Sequence, residues 1–94
     1  MTVTVRIPTP LRKITGGAAR VNADGDTVRA ALDSLVTTYP ELRDRVYDED
    51  AKVRRFINLF VGEEDIRFLD GLDTPLSEGA ELSLVPAVAG GSGQ

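Results

Sequence analysis

Two adjacent glycines near the end of the sequence, Gly90 and Gly91, are the residues best suited to a chemical role. They stand in a stretch of mostly small residues, from Ala87 to Gln94, that follows Pro86. A backbone with few side chains on a free tail can enter a narrow site on a partner protein. Chemistry at these glycines would therefore be carried out by another protein. The alternative is a frayed terminus or a flexible Gly/Ser linker, which describes most such chain ends.

The remaining side chains offer little catalytic chemistry. The 94 residues include no cysteine and no histidine, so the chain lacks a cysteine nucleophile, a thiolate metal site and the commonest general base. Carboxylates cluster at Asp48 and Asp50 and again from Glu63 to Asp65, but they stand in predicted turns without a calcium-loop spacing. We assign them no chemistry. We expect a chain that is not an enzyme and binds no metal or cofactor of its own.

Composition indicates one ordinary globular domain. An apolar content of 41% and a charged content of 28% are typical of a folded domain with a single core. The net charge of −4 argues against nucleic acid as a partner. The N-terminal residues alternate instead of forming the apolar stretch of a signal peptide, and no run is long enough to span a membrane. The sequence therefore predicts a cytoplasmic protein that associates with neither nucleic acid nor membrane.

The first third of the chain predicts a β-hairpin followed by a helix. Val3, Val5 and Ile7 alternate with polar residues, which indicates a half-buried strand. A weaker strand is predicted over residues 18–23, after a turn at Gly16 and Gly17. Asp26 or Thr27 could cap a helix whose apolar residues recur at helical spacing up to residue 39, where Pro40 stops it.

The rest of the chain alternates turns with short strands. A further helical turn is predicted over 40–46, with Leu42 and Val46 facing inward. The clearest strand covers 55–61, a short edge strand is predicted over 66–68, and the last strand covers 81–85.

This order of elements predicts an α+β fold of the β-grasp type. A helix that leaves the second strand must pack on one face of the sheet before the chain returns to later strands. We therefore expect a mixed sheet of four to five strands on one main helix, forming a domain over residues 1–86, with a flexible tail over 87–94. The predicted core comprises Val3, Val5, Leu32, Leu35, Ile57, Leu59, Leu82 and Leu84.

Two aromatic residues are candidates for partner docking. Phe56 and Phe60 are predicted on the strand face that points away from the core, and Val85 stands next to the tail. An apolar patch with aromatic anchors at this place would hold a partner protein. The alternative is a small satellite cluster within the domain. Arg54, Arg55 and Arg67 could steer an acidic partner, although a solvated rim is the preferred interpretation.

The whole of residues 2–91 resembles the ubiquitin-like sulfur carriers of the MoaD/ThiS family. The resemblance is carried by the order and spacing of Ile7-Pro8-Thr9, the Gly16-Gly17 turn, the strand from Arg55 to Val61, Ile66-Arg67-Phe68 and the ending Pro86-Ala87-Val88-Ala89-Gly90-Gly91. Within that family the ending is most similar to that of the actinobacterial carriers that serve cysteine synthesis.

The resemblance implies that Gly91 is the reactive residue. In such carriers an E1-like enzyme uses ATP to adenylate the terminal glycine carboxylate, and sulfur then replaces AMP to give a thiocarboxylate. Ala89 and Gly90 would thread the enzyme's active site, since bulky side chains beside the reacting carbonyl would clash. The acceptor implied is a cysteine synthase-like enzyme that carries pyridoxal phosphate. Delivery to molybdopterin, thiamine or a secondary metabolite stays open.

The chain departs from the family at its end, because Ser92-Gly93-Gln94 follow Gly91. The Gly91 carbonyl is then an amide and cannot be adenylated. We expect a processing protease to cut between Gly91 and Ser92, as in ubiquitin-like precursors. An expression remnant and a plain linker are the alternatives. A ubiquitin-like modifier that joins lysines and a simple binding module remain as other classes of function.

Overall fold

The computed structural model describes residues 1–50 and 52–86. Strand β1, Thr2–Arg6, and strand β2, Arg20–Asp24, pair antiparallel from Thr2 opposite Asp24 to Arg6 opposite Arg20. This confirms the predicted hairpin, although β2 begins and ends slightly later than predicted. The connection starts with a short 3₁₀ helix at Thr9–Leu11. It turns at Gly16 and Gly17, whose φ angles of 70° and 91° favour glycine.

The main helix, α1, covers Val28–Thr38. Thr27 is its N-cap, and the Thr27 hydroxyl accepts a hydrogen bond from the Ala30 N–H at 3.2 Å. The helix buries the residues that recur at helical spacing and ends before Pro40, as predicted. A 3₁₀ turn at Pro40–Leu42 and a short helix α2, Arg43–Val46, then bury Leu42 and Val46, which also confirms the prediction.

The second half of the chain supplies three strands. They are β3, Ile57–Val61, β4, Glu64–Asp65, and β5, Glu81–Pro86. Strand β3 begins two residues later than predicted because the chain still turns there, with the Ile57 N–H donating to the Arg54 carbonyl at 3.0 Å. Pro86 remains in β5 opposite Ile57. Proline has no backbone N–H to donate to a neighbouring strand. This is tolerated at Pro86 because β1 pairs with β5 only as far as Ser83.

The predicted edge strand over residues 66–68 is wrong. Ile66–Phe68 form a 3₁₀ turn, and the edge strand is the preceding Glu64–Asp65. The Asp65 carboxylate caps this turn by accepting a hydrogen bond from the Arg67 N–H at 2.8 Å, while Ile66 is buried in the core. The Arg67 N–H thus bonds to the Asp65 side chain instead of to a neighbouring strand.

The five strands form one mixed sheet in the order β2-β1-β5-β3-β4. Strands β1 and β5 are parallel and the other pairs are antiparallel. Helix α1 packs on one face, and the core between them includes all the predicted core residues except Ile57, which is half-buried against that core. The architecture is the predicted α+β β-grasp. No helix within 1–50 and 52–86 is long and apolar enough to cross a membrane.

Candidate functional site

Strand β5 is the last element before the segment that contains Gly90 and Gly91. Strand β5 lies between two neighbours, with Leu82 opposite both Val5 and Val61 and Leu84 opposite Leu59. Burial of Leu82 and Leu84 on both sides of Ser83 anchors the strand in the core. Strand β5, which precedes Ala87 in the sequence, is therefore paired on both sides and anchored in the core. The predicted tail residues Ala89, Gly90, Gly91 and Ser92 lie outside the part of the chain that the structure describes.

Val85 and Phe60 lie on the sheet face opposite α1. Asn58 pairs with Val85 and Phe60 pairs with Ser83, so Phe60 and Val85 are diagonal neighbours on adjacent strands. Diagonal neighbours are about 7–8 Å apart, which an aromatic side chain can bridge. Val85 is 40% exposed and Phe60 is half-buried. The two residues form an apolar spot on a largely polar face, which we call the sheet-face patch.

Phe56 lies in a different environment from the sheet-face patch. It precedes β3, in the turn after Arg54, and is 57% exposed. It lines a groove of about 1020 Å³ together with Pro86, Leu11 and Ile14. The sequence placed Phe56 on the same strand face as Phe60, and the turn accounts for the difference. Both surfaces nevertheless adjoin the end of β5, because Pro86 lines the groove and follows Val85.

The groove beside Pro86, which we call the tail groove, was not predicted from the sequence. Its wall across from Phe56 comes from the connection between β1 and β2 and from the chain around α2. Leu11 and Ile14 were a weak signal, since two apolar residues in a connection indicate packing that the strands do not explain. Charged residues of both signs line its rim: Lys13, Glu41, Asp44, Arg45 and Arg54.

One carboxylate of each acidic cluster stabilises local structure. Asp48 accepts hydrogen bonds from the backbone N–H groups of Asp50 and Lys52 at 2.8 and 3.1 Å, and the Lys52 bond is the main cause that lowers the pKa of this carboxyl. Arg67 donates to both Asp65 oxygens, at 2.7 to 3.1 Å, and lowers the pKa of the Asp65 carboxyl. Both groups are ionised at neutral pH and already bonded. Within residues 1–50 and 52–86, no group of three His, Cys, Asp or Glu residues is arranged to hold a metal ion.

The sequence matches a known family and its members over nearly the whole chain. Residues 5–91 match the ThiS family. The chain is 44% identical over 93 residues to the sulfur carrier protein CysO of Mycobacterium tuberculosis, and the match covers 97% of this chain and 100% of that protein. It is also 40% identical over 73 residues to small archaeal modifier protein 1 of Haloferax volcanii, covering 77% of this chain and 79% of that one.

The structure matches solved structures whose names include those of these relatives. The crystal structure of the Amycolatopsis orientalis BexX/CysO complex contains a chain that is 44% identical and superposes with a TM-score of 0.85, covering 95% of this chain and 99% of that chain. The crystal structure of SAMP1 from Haloferax volcanii superposes with a TM-score of 0.82 at 31% identity, covering 97% and 100% of the two chains. The fold and the sequence therefore indicate the same relatives.

Proposed function

This chain belongs to the ThiS/MoaD family of ubiquitin-like sulfur carriers, and from that membership we propose that it carries sulfur as a thiocarboxylate on Gly91. The main support for this proposal is the residue at which the family match ends. It runs from residue 5 through the β-grasp domain and stops at Gly91, the second glycine. The similarity thus includes the segment that follows β5 as well as the folded body. In this proposal the chain is a carrier and co-substrate, and partner enzymes supply the catalysis.

The first step is activation of the Gly91 carboxylate. A carboxylate resists nucleophilic attack because oxide is a very poor leaving group. The carboxylate oxygen therefore attacks the α-phosphorus of ATP on an E1-like enzyme, and pyrophosphate leaves. The product is a Gly91 acyl-adenylate, whose AMP is a good leaving group. From Pro86 to Gly91 an extended chain reaches about 17 Å, enough to place the glycine in the enzyme while the domain stays outside.

The second step loads and delivers sulfur. A sulfur nucleophile attacks the Gly91 carbonyl and AMP leaves, which gives the thiocarboxylate. We propose that this sulfur then attacks the β-carbon of an activated serine on a pyridoxal-phosphate enzyme, and the activating group leaves. Hydrolysis at the Gly91 carbonyl frees cysteine and restores the carboxylate. The proposal of cysteine synthesis is supported by the 44% identity to CysO proteins. Because activation consumes ATP, we place this cycle in the cytoplasm.

A processing step must precede activation. With Ser92-Gly93-Gln94 attached, the Gly91 carbonyl belongs to a peptide bond and offers no carboxylate to ATP. We propose that a protease hydrolyses the bond between Gly91 and Ser92. The three-residue extension lies beyond the family match, which supports its removal.

The sheet-face patch is the proposed docking surface for the activating enzyme. Phe60 and Val85 present apolar area beside the start of the tail, and Phe56 extends the contact into the tail groove. Contacts here would hold the body while Ala89 and Gly90 thread the active site. Aromatic residues in such places often dominate binding.

Replacing Phe60 by alanine tests the docking surface. We expect Phe60→Ala to weaken binding to the E1-like enzyme about thirtyfold, which corresponds to the roughly 2 kcal/mol of an aromatic hot spot. Phe68→Ala is the matched control, since Phe68 is 83% exposed and lies in the turn after β4. Calorimetric titration measures both affinities. Equal affinities for the two variants, or a loss of cooperative melting in Phe60→Ala, would contradict the docking role.

A ubiquitin-like modifier is the second candidate function. The similarity to small archaeal modifier protein 1 supports it, and a modifier would use the same activated glycine. The two functions differ in the group that attacks the Gly91 carbonyl, which is sulfur in a carrier and a lysine amine in a modifier. Delivery of sulfur to molybdopterin, thiamine or a secondary metabolite uses the carrier chemistry with another acceptor.

The destination of the sulfur distinguishes these functions. We expect the thiocarboxylated chain, mixed with activated serine and a cysteine synthase-like enzyme, to yield a chain-bound cysteine detectable by intact mass. The control is the same chain ending in an ordinary Gly91 carboxylate, which should give no adduct. If the chain isolated from cells were joined through Gly91 to lysines of other proteins, and none of it carried a thiocarboxylate, the modifier function would be favoured. Unchanged function after Gly91 is replaced by a bulky residue would favour a plain binding module.

A further inference from the structure

Five basic residues from three separate parts of the chain surround one pocket of about 450 Å³. The pocket lies on the flank of β3 and is distinct from the sheet-face patch. Its basic residues are Arg29, Lys52, Arg54, Arg55 and Arg67. Asp65 is the one acidic residue that lines it within 1–50 and 52–86. Such a concentration of positive charge is unexpected in a chain whose net charge is −4. We call this place the basic pocket.

Backbone and capping interactions gather these residues. Arg29 stands in the first turn of α1, next to the Thr27 cap. Arg54 is held by its backbone N–H, which donates to the Val46 carbonyl at 2.8 Å, and by its side chain, which donates to the Asp44 carbonyl. The Asp65 cap orients Arg67. The cations therefore sit on ordered backbone rather than on a free loop.

The positive charge is only partly neutralised. Arg67 pairs with Asp65 at 2.7 Å and Arg29 pairs with Asp73 at 3.2 Å. Lys52 and Arg55 are exposed and form no ion pair with any residue of the described chain. The five cations outnumber these two paired carboxylates, and Asp48, whose carboxylate lies near Lys52 and Arg54, offsets only part of the remaining positive charge. Like charges placed together destabilise the free protein, so an anionic partner would gain by relieving this repulsion.

The floor of the pocket is apolar. It is lined by Val53, Ile57, Leu59, Ile66 and Leu72. A lone inorganic anion would satisfy the cations but leave this floor uncovered. A peptide that places an apolar side chain on the floor and carboxylates at the rim would satisfy both. The volume lies within the range of ordinary ligand pockets, roughly 300–1000 Å³.

We propose that the basic pocket binds an acidic peptide segment of a partner protein, with an apolar side chain as its anchor. The pocket adjoins the tail groove, because Arg54 and Ile57 line both. A partner seated along the groove beside Pro86 can therefore continue into the basic pocket without leaving the surface. The segment adds a second contact to those at the sheet face and is independent of the chemistry at Gly91.

A labelled peptide tests the proposal directly. The probe is a fluorescein-labelled Asp-Glu-Leu-Leu-Asp-Glu peptide, titrated with the full chain and followed by fluorescence anisotropy. The double substitution Lys52→Glu and Arg55→Glu is expected to weaken binding about tenfold or more, as for the loss of close charge pairs. Both residues are exposed, so the core should be unaffected, and a melting temperature no lower than that of the original chain verifies this. Raising the salt concentration should also weaken binding.

Matched controls show whether binding depends on the peptide's charge, on its apolar anchor and on the position of the substituted residues. Arg6→Glu with Arg43→Glu makes the same change of charge at exposed sites away from the pocket and should leave the affinity close to that of the original chain. Peptides with Asn-Gln in place of the acids, or Gly-Gly in place of the leucines, should bind more weakly. Equal loss in both double variants would overturn the proposal. So would binding of inorganic phosphate at the pocket without binding of the acidic peptide.

Discussion

A chain that ends at Gly91 is expected to form an acyl-adenylate on an E1-like enzyme, whereas the chain that keeps Ser92-Gly93-Gln94 is expected to form none. The physical reason is that Gly91 has a free carboxylate to attack the α-phosphorus of ATP only when the chain ends there. In the longer chain the free carboxylate belongs to Gln94, three residues and about 10 Å of extended chain farther on, where it would miss the site that receives Gly91. A peptide carbonyl at Gly91 has no oxygen nucleophile of that strength. We expect the rates to differ by at least about a thousandfold, or about 4 kcal/mol in activation free energy. Exchange of labelled pyrophosphate into ATP measures this step without requiring the sulfur donor.

Two controls show whether the effect belongs to Gly91. A chain ending at Gly90 has a free carboxylate but is one residue shorter, about 3.3 Å less reach, and should be adenylated far more slowly. A chain ending at Gly91 with Gly90→Val tests whether the tail must be narrow. Exchange by the chain that ends at Gln94 at the rate of the chain that ends at Gly91 would contradict both the processing step and the assigned residue.

Replacing Gly25 by alanine is expected to destabilise the folded domain strongly, although it adds only one methyl group. A Cβ at this position would overlap the backbone N of Ala31 and lie 2.8 Å from the carbonyl carbon of Ala30, inside α1. The backbone cannot easily retreat, because the Gly25 N–H donates to the Met1 carbonyl at 2.8 Å. Overpacking typically costs about 1–3 kcal/mol, and we expect the upper end, about 3 kcal/mol, because the nearest atoms belong to the backbone and cannot rotate away. Domains of this size have about 5–15 kcal/mol of stability in total.

Thermal unfolding measures the effect. We expect Gly25→Ala to lower the Tm by more than about 10 °C, since each kcal/mol shifts a domain of this size by about 4–8 °C. Gly71→Asn is the matched control: Gly71 has a φ of 60°, which asparagine tolerates, and open space around it. That variant should lose no more than about 1–2 kcal/mol. Similar melting of the two variants would show that the approach of residue 25 to the helix is looser than the structure indicates.

Long periodic patterns determined which parts of the fold were predictable. Val3 and Val5 alternate in β1, and Ala31, Leu32 and Leu35 recur along α1, so their burial followed from the sequence. The triplet at residues 66–68 was too short to show a period. The Asp65 carboxylate caps a 3₁₀ turn there, and a cap formed by one residue cannot be recognised from the spacing of apolar residues. Phe56 was misplaced for a similar reason, because the turn after Arg54 interrupts the alternation before β3 begins.

The candidate sites differ in how far the sequence reveals them. Gly90 and Gly91 are recognisable from the sequence because adjacent residues form the whole motif, and their roles in threading and as the reactive terminus remain predictions. The basic pocket has no local signature. Arg29, Lys52 and Arg67 are far apart in the chain and come together only in the folded structure, where α1, the segment before β3 and the turn after β4 line one pocket. From the sequence alone, Arg54, Arg55 and Arg67 were most simply interpreted as a solvated rim, since the apolar floor between them is a product of the fold.

The most direct test of the sulfur-carrier role is the intact mass of the protein isolated from its native cells. We expect a chain that ends at Gly91, of which a fraction has one oxygen of the terminal carboxylate replaced by sulfur. Alkylation of the terminal sulfur before analysis should shift that fraction alone. A population consisting entirely of chains that end at Gln94, with no species ending at Gly91, would contradict the account.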